Sequence, residues 1–504
     1  MYFPIKKEYL EKSENYNLIP VYKEYVVDTE TPTSIFIKAG GLNKEMFLLE
    51  SIEGEKNISR YSIIGISHSA HFKFENEVLT FKNNEDEKIE IKTASPLNEL
   101  EKIMKDYRLY KNPNLNHFTG GAVGYLGYDL VHYFEDIKIP PSEMSFPEII
   151  LFFTDLIIIF DHMLNRMKII STVKIDKKTN AQSAYLKSIS KIEEVENMIF
   201  KNIENGVINK KIFSGAYFND TSKINFNSNF SKDEFLKAVK QAKRYIVDGE
   251  IFQVVLSQRF FTNEFSEPFN IYRALRTINP SPYMYYMNFG DFKVIGSSPE
   301  PLLKINGTKV STYPIAGTRK RGRTAREDRI LINDLLNDEK EKAEHNMLVD
   351  LSRNDLGRVC RYGSVKVKKY MNIEKYSNVL HMVSRVEGIL DNNKTIFDAI
   401  KSAFPAGTLS GAPKIRAMQI ISELEPDRRN LYGGIIGYFG YDGSLNTCIT
   451  IRTAVIRGNN AYIQAGAGIV YDSSPEKEWE ETINKAGALF RSINAVNHAG
   501  QQLK

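Results

Sequence analysis

Short runs in which apolar and polar residues alternate are typical of the first 180 residues. His71-Phe72-Lys73-Phe74 and Leu79-Thr80-Phe81 are examples, and Gly, Asn and Asp break the runs. Alternation with a period of two gives a strand one face for the core and one for solvent. The pattern predicts a first half rich in antiparallel strands.

Helical spacing appears in the second half. Ser231 and Glu234 have the spacing of a capping box, the apolar residues that follow recur every three or four positions, and Gly249 is expected to end that helix. Further helices are predicted at about 325–351, 395–403, 415–424 and 475–493, and β-type runs at 251–256, 283–289, 294–297, 434–441, 448–455 and 461–465. The alternation lacks a regular βαβ rhythm, which favours an α+β fold over a Rossmann or TIM fold.

One segment of the chain occurs twice as an internal repeat. Gly120-Gly-Ala-Val-Gly-Tyr-Leu-Gly-Tyr-Asp129 returns as Gly433-Gly-Ile-Ile-Gly-Tyr-Phe-Gly-Tyr-Asp442. Glycine within a strand leaves room for a second backbone or for a ligand. Two similar strands that pack against each other and a ligand role for both copies are equally compatible with the pattern.

Composition narrows the class of protein. The 504 residues suggest about three domains or one intertwined body, and a polar stretch from about Lys201 to Asn229 predicts a linker. The net charge of +5 is spread along the chain, which argues against nucleic acid as a partner. A basic run, Arg319-Lys-Arg-Gly-Arg323, is either a solvated loop or a contact for an anion.

Location is indicated by what the chain lacks. Its two cysteines offer no disulfide framework. No apolar signal region follows Met1, and the longest apolar stretch, 149–160, is too short to cross a bilayer. We expect a cytoplasmic protein that makes no use of a membrane.

Acidic residues recur on two predicted helices. Glu478, Glu481 and Lys485 share one face of the last helix, and another helix carries Glu341 and Glu344. Carboxylates from two helices suit Mg²⁺, which completes its shell with water and substrate oxygens. A solvated helix face is the alternative for each helix taken alone.

Three further features suit an anion-binding enzyme without proving one. Arg452 interrupts an apolar run, Gln464-Ala-Gly-Ala-Gly-Ile469 offers backbone N–H groups, and His381 lies among apolar residues. A buried guanidinium needs an anionic partner, which is a substrate carboxylate or a structural Asp or Glu. His381 is either a base near neutral pH or a core histidine.

The joint order of the motifs is more specific than any one of them. In sequence they are Gly296-Ser-Ser-Pro-Glu300, Pro314-Ile-Ala-Gly-Thr-Arg319, Lys342-Ala-Glu-His345, His381-Met-Val-Ser384, Phe404-Pro-Ala-Gly-Thr-Leu-Ser-Gly-Ala-Pro-Lys414, Tyr432-Gly-Gly434, Ile451-Arg-Thr-Ala454, Ala465-Gly-Ala-Gly468 and Pro475-Glu-Lys-Glu-Trp-Glu-Glu481. This series, from about 230 to 497, resembles the chorismate-utilising enzymes. The resemblance implies two antiparallel sheets packed face to face and flanked by helices, with chorismate in the cleft.

The resemblance also implies roles for individual residues. Residues 230–497 would form the chorismate-binding catalytic domain, and 1–200 an amino-terminal β-rich domain. Glu344 and Glu481 resemble the magnesium carboxylates, with Glu341 and Glu478 as water-mediated partners. The implied grip on chorismate consists of Gly317, Thr318, Tyr432, Arg452, Gly466, Ala467, Gly468 and Lys485.

The implied reaction has two steps. Glu300 would protonate the departing C4 hydroxyl, which Thr408 orients, while ammonia enters at C2. His381 would then remove the C2 proton as pyruvate leaves, so that the products are anthranilate and pyruvate, the first step of tryptophan biosynthesis.

Two positions separate branches of the family. Gln253 stands where water-using relatives carry an activating lysine, and Ala316 stands where 4-amino-4-deoxychorismate synthases carry a nucleophilic lysine. The pattern therefore resembles component I of the anthranilate synthases, with the first component of a 4-amino-4-deoxychorismate synthase as the alternative. The chain has no recognisable glutaminase motif, which implies a separate glutamine amidotransferase subunit as the source of ammonia.

Regulation is implied by two further segments. Leu48-Leu-Glu-Ser51 and Asn279-Pro-Ser-Pro-Tyr-Met284 resemble the halves of a feedback site for L-tryptophan. Glu50 and Ser51 would hold the ammonium group, and Pro282, Tyr283 and Met284 would pack around the ligand. A catalytically silent tryptophan-binding subunit is the alternative from another functional class.

Overall fold

A computed structural model describes residues 1–52, 60–84, 87–115, 117–142, 144–201, 225–376 and 379–501. The helices in these ranges are α1 (Lys6–Lys12), α2 (Pro32–Lys38), α3 (Pro96–Lys105), α4 (Ala181–Lys201), α5 (Lys232–Val247), α6 (Pro268–Ile278), α7 (Ala325–Asn337), α8 (Glu339–Gly357), α9 (Ile396–Ala403), α10 (Lys414–Leu424) and α11 (Pro475–Gln501). None of these described helices is both long and apolar enough to span a bilayer.

Two short 3-10 helices, Tyr128–Tyr133 and Gly407–Leu409, are also present in the described ranges. Strands make up the rest of the regular structure there. They are β1 (Val21–Val26), β2 (Phe47–Glu50), β3 (Tyr61–Glu75), β4 (Val78–Asn83), β5 (Lys88–Lys92), β6 (Gly121–Leu126), β7 (Ile149–Asp161), β8 (Arg166–Ser171), β9 (Asn227–Ser228), β10 (Gln253–Thr262), β11 (Tyr283–Asn288), β12 (Phe292–Ser298), β13 (Pro301–Asn306), β14 (Lys309–Thr312), β15 (Ile315–Lys320), β16 (Lys366–Lys375), β17 (Val379–Ile389), β18 (Gly411–Ala412), β19 (Ile435–Gly440), β20 (Leu445–Ile449), β21 (Thr453–Arg457) and β22 (Asn460–Ile469).

Antiparallel pairing connects these strands into two limbs. One limb runs β3–β7–β6–β19–β20–β13, and the other runs β3–β2–β11–β12–β21–β22–β10. The limbs meet at the long pair β3 and β7. Each limb contains strands from both halves of the chain, which join where β6 pairs with β19 and where β2 pairs with β11.

The limbs pack face to face because alternate side chains of each strand point to a shared core. Tyr125 of β6 contacts Phe289 and Phe292 beside the opposite limb, with ring centroids 5.4 and 6.2 Å apart. Tyr285 and Met287 of β11 belong to this shared core, whereas Met284 and Tyr286, on the other face of the strand, belong to a second core that includes residues of α6 and α11. The α+β fold with two packed antiparallel sheets and flanking helices is thereby confirmed.

The internal repeat is explained by strand pairing. β6 and β19 are its two copies, and they are neighbours with Gly124 opposite Gly437. A Cβ atom on Gly124 would lie 1.9 Å from the carbonyl oxygen of Ile150 on β7. The glycines therefore permit close strand packing, which is the first of the two interpretations.

Two predicted elements were wrong in their continuity. The helix expected over 325–351 is broken at Asp338, whose carboxylate accepts hydrogen bonds from the N–H groups of Lys340 and Glu341 and so starts α8. The strand expected over 448–455 is two strands, β20 and β21, and Arg452 lies between them with φ +52°. The predicted capping box at Ser231 is confirmed, and the linker expected at 201–229 lies mostly outside the described residues.

Candidate active site

Glu300 is a buried carboxylic acid immediately before β13. Thr408 Oγ1 donates a 3.0 Å hydrogen bond to Glu300 Oε1, and only 8% of Glu300 is exposed. Burial raises the pKa of Glu300 to about 8, although the Thr408 hydrogen bond and the charge of Lys485 oppose this. The group is therefore mostly protonated at pH 7 and can donate a proton.

An unpaired stretch of strand edge lies next to Tyr432. β22 pairs with β10 along its whole length but with β21 only from Asn460 to Ile463, so its later residues have a free edge among the described strands. Gly466 lies there, and a Cβ atom on it would be 2.8 Å from the Tyr432 hydroxyl. The glycine therefore lets the phenol approach the backbone closely.

Lys485 connects this edge with the acidic helix. Its ammonium group donates a 3.0 Å hydrogen bond to the Gly466 carbonyl and forms a 2.7 Å ion pair with Glu481. Gly468 faces the side chain of Gln253, whose Oε1 atom is buried without a hydrogen-bond partner among the described residues. Ala467 is fully buried in the core below, so only its backbone can face a ligand.

Arg452 enters the site from the break between β20 and β21. Burial lowers its pKa, while the nearby Tyr432 and Glu481 raise it. A left-handed backbone is uncommon for a residue with a Cβ atom and costs on the order of 1 kcal/mol. Arg452 was expected to interrupt an apolar strand. It lies instead between two strands, outside the register of both.

Thr318 and His381 are paired across β15 and β17. They are direct partners in register, and Thr318 Oγ1 lies 2.9 Å from His381 Nδ1. Burial, and next the charge of Arg452, lower the pKa of His381 to about 4, so the ring is neutral at pH 7. Gly317 has φ +73° at the bulge beside Thr318, and a Cβ atom there would lie 3.2 Å from Glu341 Oε2.

Carboxylates of α8 and α11 influence one another. Burial raises the pKa of Glu344, opposed by Lys340, and the charges of Glu341, Glu481 and Glu478 raise it further. The pKa of Glu478 is also raised, first by burial. The four acidic residues predicted from sequence are thus near enough for Glu344 to feel the charges of the other three.

Such a set of donors fits Mg²⁺. Magnesium takes oxygen ligands and keeps several waters, so the half-exposed carboxylates of Glu344 and Glu481 are of the right chemical type to supply part of its shell. Burial is the main cause of the raised pKa of Glu344, and a cation beside Glu344 and Glu481 would relieve the like-charge repulsion that adds to it. Glu341 already pairs with Arg319 at 3.0 Å and is a less available ligand.

Two arginines of the basic run at 319–323 form ion pairs within the protein, whereas Lys320 and Arg323 are exposed. Arg319 pairs with Asp334, Asp338 and Glu341 at 2.7 to 3.0 Å. Arg321 pairs with Asp328 at 2.7 Å. These arginines tie β15 to α7 and α8 and hold the Gly317 bulge against the acidic helix.

One buried ion pair was missed by sequence reasoning. Arg429 pairs with Glu425 at 2.6 Å, donates to the carbonyl groups of Leu409 and Val255, and lies over the ring of Tyr432 at 5.5 Å. It joins the Thr408 loop, β10 and Tyr432. Its only sequence signal was an i, i+4 spacing, which is too common to single it out.

The two segments expected to bind tryptophan are brought together. Glu50 of β2 and Met284 of β11 are direct strand partners, and the Ile52 N–H donates to the Ser281 carbonyl. Pro282 is buried between them, and Tyr283 donates a 2.9 Å hydrogen bond to Asn446.

The two polar side chains expected to bind tryptophan, Glu50 and Ser51, differ in their hydrogen bonding. Glu50 accepts hydrogen bonds from Tyr272 and from Arg276 Nε, the latter at 3.0 Å. Its carboxylate is therefore already bound by groups of the protein. The Ser51 hydroxyl is buried and has no hydrogen-bond partner among the described residues. A buried hydroxyl in that state has capacity for a ligand.

Comparisons with known proteins agree with this geometry. A family described as "chorismate binding enzyme" matches residues 44–491. The chain is 46% identical over 500 residues to anthranilate synthase component 1 of Acetivibrio thermocellus, covering 98% of this chain and 99% of the relative. It is 44% identical to the protein of that name in Aquifex aeolicus, covering 98% of this chain and 99% of the relative.

Solved structures show the same architecture. Anthranilate synthase component I of Streptococcus pneumoniae is 37% identical with a TM-score of 0.73, covering 87% of this chain and 93% of that one. The menaquinone-specific isochorismate synthase of Escherichia coli is 18% identical with a TM-score of 0.69, covering 97% of this chain and 99% of that one. The second likeness bears on the fold alone.

Proposed function

The chain belongs to the chorismate-binding enzymes, and on that premise we propose that it is component I of an anthranilate synthase. It would convert chorismate and ammonia to anthranilate and pyruvate. The observation that carries the chemistry is Glu300, a buried acid with a pKa near 8 that is hydrogen-bonded to Thr408.

Substrate binding would use the groups around the free edge of β22. Arg452 and the Tyr432 hydroxyl supply donors for one carboxylate of chorismate, and the backbone from Gly466 to Gly468 supplies N–H groups beside it. Gly317 and Thr318 would line the opposite wall. Lys485 balances the acidic helix and orients Glu481.

The first step needs a proton at the departing C4 hydroxyl. Glu300 is protonated at pH 7, and the Thr408 hydrogen bond at Oε1 leaves its proton on Oε2. As this proton moves to the leaving oxygen, ammonia adds at C2. Burial makes the resulting carboxylate costly, which favours its reprotonation before the next turnover.

The second step removes the C2 proton and expels pyruvate to give an aromatic ring. His381 is the proposed base, and it is neutral at pH 7. This role requires that Nδ1 donates its hydrogen to Thr318, so that the lone pair is on Nε2. Burial, and next the charge of Arg452, lower the pKa of His381 and so keep the ring unprotonated and available.

Glu344 and Glu481 would hold Mg²⁺, with Glu341 and Glu478 acting through water. When bound, the ion would neutralise a substrate carboxylate and withdraw electron density from the ring. The like-charge cluster on α8 and α11 supports this assignment.

Ammonia is the proposed nucleophile because the chain has no lysine at the two positions that distinguish the branches of the chorismate-utilising enzymes. Gln253 cannot activate water as a base, and Ala316 is a methyl group opposite Met382. A glutamine amidotransferase subunit would supply the ammonia. L-Tryptophan would inhibit at Glu50 and Ser51 of the proposed amino-terminal domain, at Pro282 just before β11, and at Tyr283 and Met284 of β11.

A cytoplasmic location is part of the same proposal. Both cysteines, Cys360 and Cys448, are free and buried, which suits a reducing compartment.

The deciding experiment follows the fluorescence of anthranilate. The purified chain with chorismate, Mg²⁺ and an ammonium salt should produce it, and glutamine should replace ammonium only when the amidotransferase subunit is added. Chromatography of the product separates anthranilate from a C4-aminated compound. A C4-aminated product, or full activity of the isolated chain with glutamine, would overturn the proposal.

A further inference from the structure

A cluster of metal-ligand residues lies outside the active site. Donor atoms of Glu45, His68 and His71 all lie within 4.8 Å of one another. Glu45 is in the segment between α2 and β2, and both histidines are on β3. None of the groups assigned to chorismate, magnesium or tryptophan belongs to this cluster.

The backbone of β3 explains why the two histidines meet. In a regular strand, residues three apart point to opposite faces. The pairing of β3 with β7 is irregular here, since Ser69 is left out of register between His68 and Ala70. The bulge therefore turns His68 and His71 to the same face, where both rings contact Phe152 at 4.6 and 5.1 Å between centroids.

Donor distances fit a small cation. Glu45 Oε2 lies 3.2 Å from His71 Nε2 and 3.6 Å from His68 Nε2. Two ligands of a tetrahedral zinc ion, each about 2.0 to 2.1 Å from the metal, lie about 3.3 Å apart. Both Glu45–histidine distances match this separation, and the donor atoms of His68 and His71 lie within 4.8 Å of each other, so the three can share one ion once the two rings adjust.

Access and chemistry favour the same ligand. The side chains of Glu45, His71 and His68 are 39, 28 and 14% exposed, so an ion can enter and water can complete its shell. Two imidazoles and a carboxylate suit zinc, whereas Mg²⁺ prefers oxygen donors alone. We infer that Glu45, His68 and His71 form a zinc site that ties the start of β2 to the bulge of β3.

The site would act on structure, because β2 begins two residues after Glu45. The carbonyl of Met46 accepts a 2.9 Å hydrogen bond from the Asn288 N–H, so this segment also contacts β11. An ion held by Glu45 and by β3 would fix β2 between its two neighbours. The bound state should therefore be more stable than the free state.

The test uses the full chain without an affinity tag, stripped of metal with a chelator and kept in excess Mg²⁺ so that the acidic helices are saturated. Isothermal titration with zinc chloride should reveal one site of micromolar affinity or tighter. Glu45→Gln and His71→Asn should each weaken it by at least about tenfold. His162→Asn, at an exposed histidine after β7, is the matched control and should bind as the parent does.

Two further readouts do not depend on activity. Co²⁺ should give a visible absorption band in the parent that is lost in His71→Asn. Zinc at roughly a hundredfold above Kd should raise the Tm of the parent by about 2 to 4 °C and leave that of Glu45→Gln unchanged. Circular dichroism in chelator should be alike for all variants, which excludes misfolding, and Glu45→Gln preserves a hydrogen bond to His71.

A plain Glu45–His71 hydrogen bond is the competing explanation. It predicts no zinc binding below millimolar concentrations, or binding that is equal in the parent, Glu45→Gln and His71→Asn. Either result overturns the proposal.

Discussion

Thr408 donates a hydrogen bond to Glu300 from 108 residues further along the chain. The bond holds a carboxyl group that burial keeps mostly protonated at neutral pH. A proton donor of this kind is what the loss of a hydroxyl group from chorismate requires. The first two predictions follow from this pair.

Glu300→Gln should abolish most turnover and stabilise the fold. Gln can accept the Thr408 hydrogen bond but cannot donate a proton, so kcat should fall by about 10² to 10⁴-fold. The pKa of Glu300 rises from 4.5 to about 8 on folding, so the carboxyl group costs stability increasingly from pH 4.5 to 8 and nothing below that range. The variant should gain on the order of 2 to 3 kcal/mol in urea unfolding at pH 7.

The pH dependence of that gain is a separate check. It should be larger at pH 8 than at pH 5, because only the unfolded parent ionises freely across this range. A variant that is active, or equally stable with the parent at both pH values, would contradict the role of Glu300.

Thr408→Ala should move the alkaline limb of the kcat profile. Turnover needs protonated Glu300, so it falls as pH rises through a pKa of about 8. The Thr408 hydrogen bond lowers that pKa, and its loss should shift the limb to higher pH while kcat at pH 7 falls roughly tenfold through poorer orientation. Thr408→Ser is the control, and an unmoved limb would argue against the contact.

Arg452→Lys should weaken chorismate binding more than it slows the chemistry. Lysine keeps the charge but loses the planar pair of donors that grips a carboxylate. We expect the KM for chorismate to rise by at least about tenfold, measured by initial rates with saturating ammonium. Arg457→Lys, an exposed position at the end of β21, should leave KM unchanged. Equal effects at both positions would rule out a specific contact between Arg452 and the carboxylate.

Glu344→Gln should raise the requirement for Mg²⁺. Removal of one carboxylate weakens the ion site, so half-maximal activity should need at least about tenfold more Mg²⁺. Without Mg²⁺ the variant should be slightly more stable, because the like charges of Glu341, Glu481 and Glu478 no longer face an anion. Glu480→Gln, exposed on α11, is the control, and unchanged Mg²⁺ dependence in Glu344→Gln would remove Glu344 from the site.

Ser51→Ala should reduce tryptophan inhibition without destabilising the protein. Its hydroxyl makes no hydrogen bond among the described residues, so its removal costs the free protein little. A hydrogen bond to the ammonium group of tryptophan would be lost, which should raise the inhibitory concentration by about five- to tenfold. Unchanged inhibition, or inhibition absent from the parent, would place regulation elsewhere.

Much of the site could be read from local sequence. The motifs from Gly296 to Glu481 identified the family, and the capping box at Ser231 located the start of α5. These features depend on hydrogen bonds between residues three or four apart, so the chain needs no long-range contact to specify them.

The arrangement of those motifs depended on tertiary structure. The break at Arg452, the pairing of Gly124 with Gly437 and the bulge that turns His68 beside His71 all follow from contacts between segments far apart in the chain. Residue types alone indicated which groups could carry the chemistry. The packing of the two limbs decided which of these groups lie close together. Strand register and burial depend on pairs of segments and not on either segment alone.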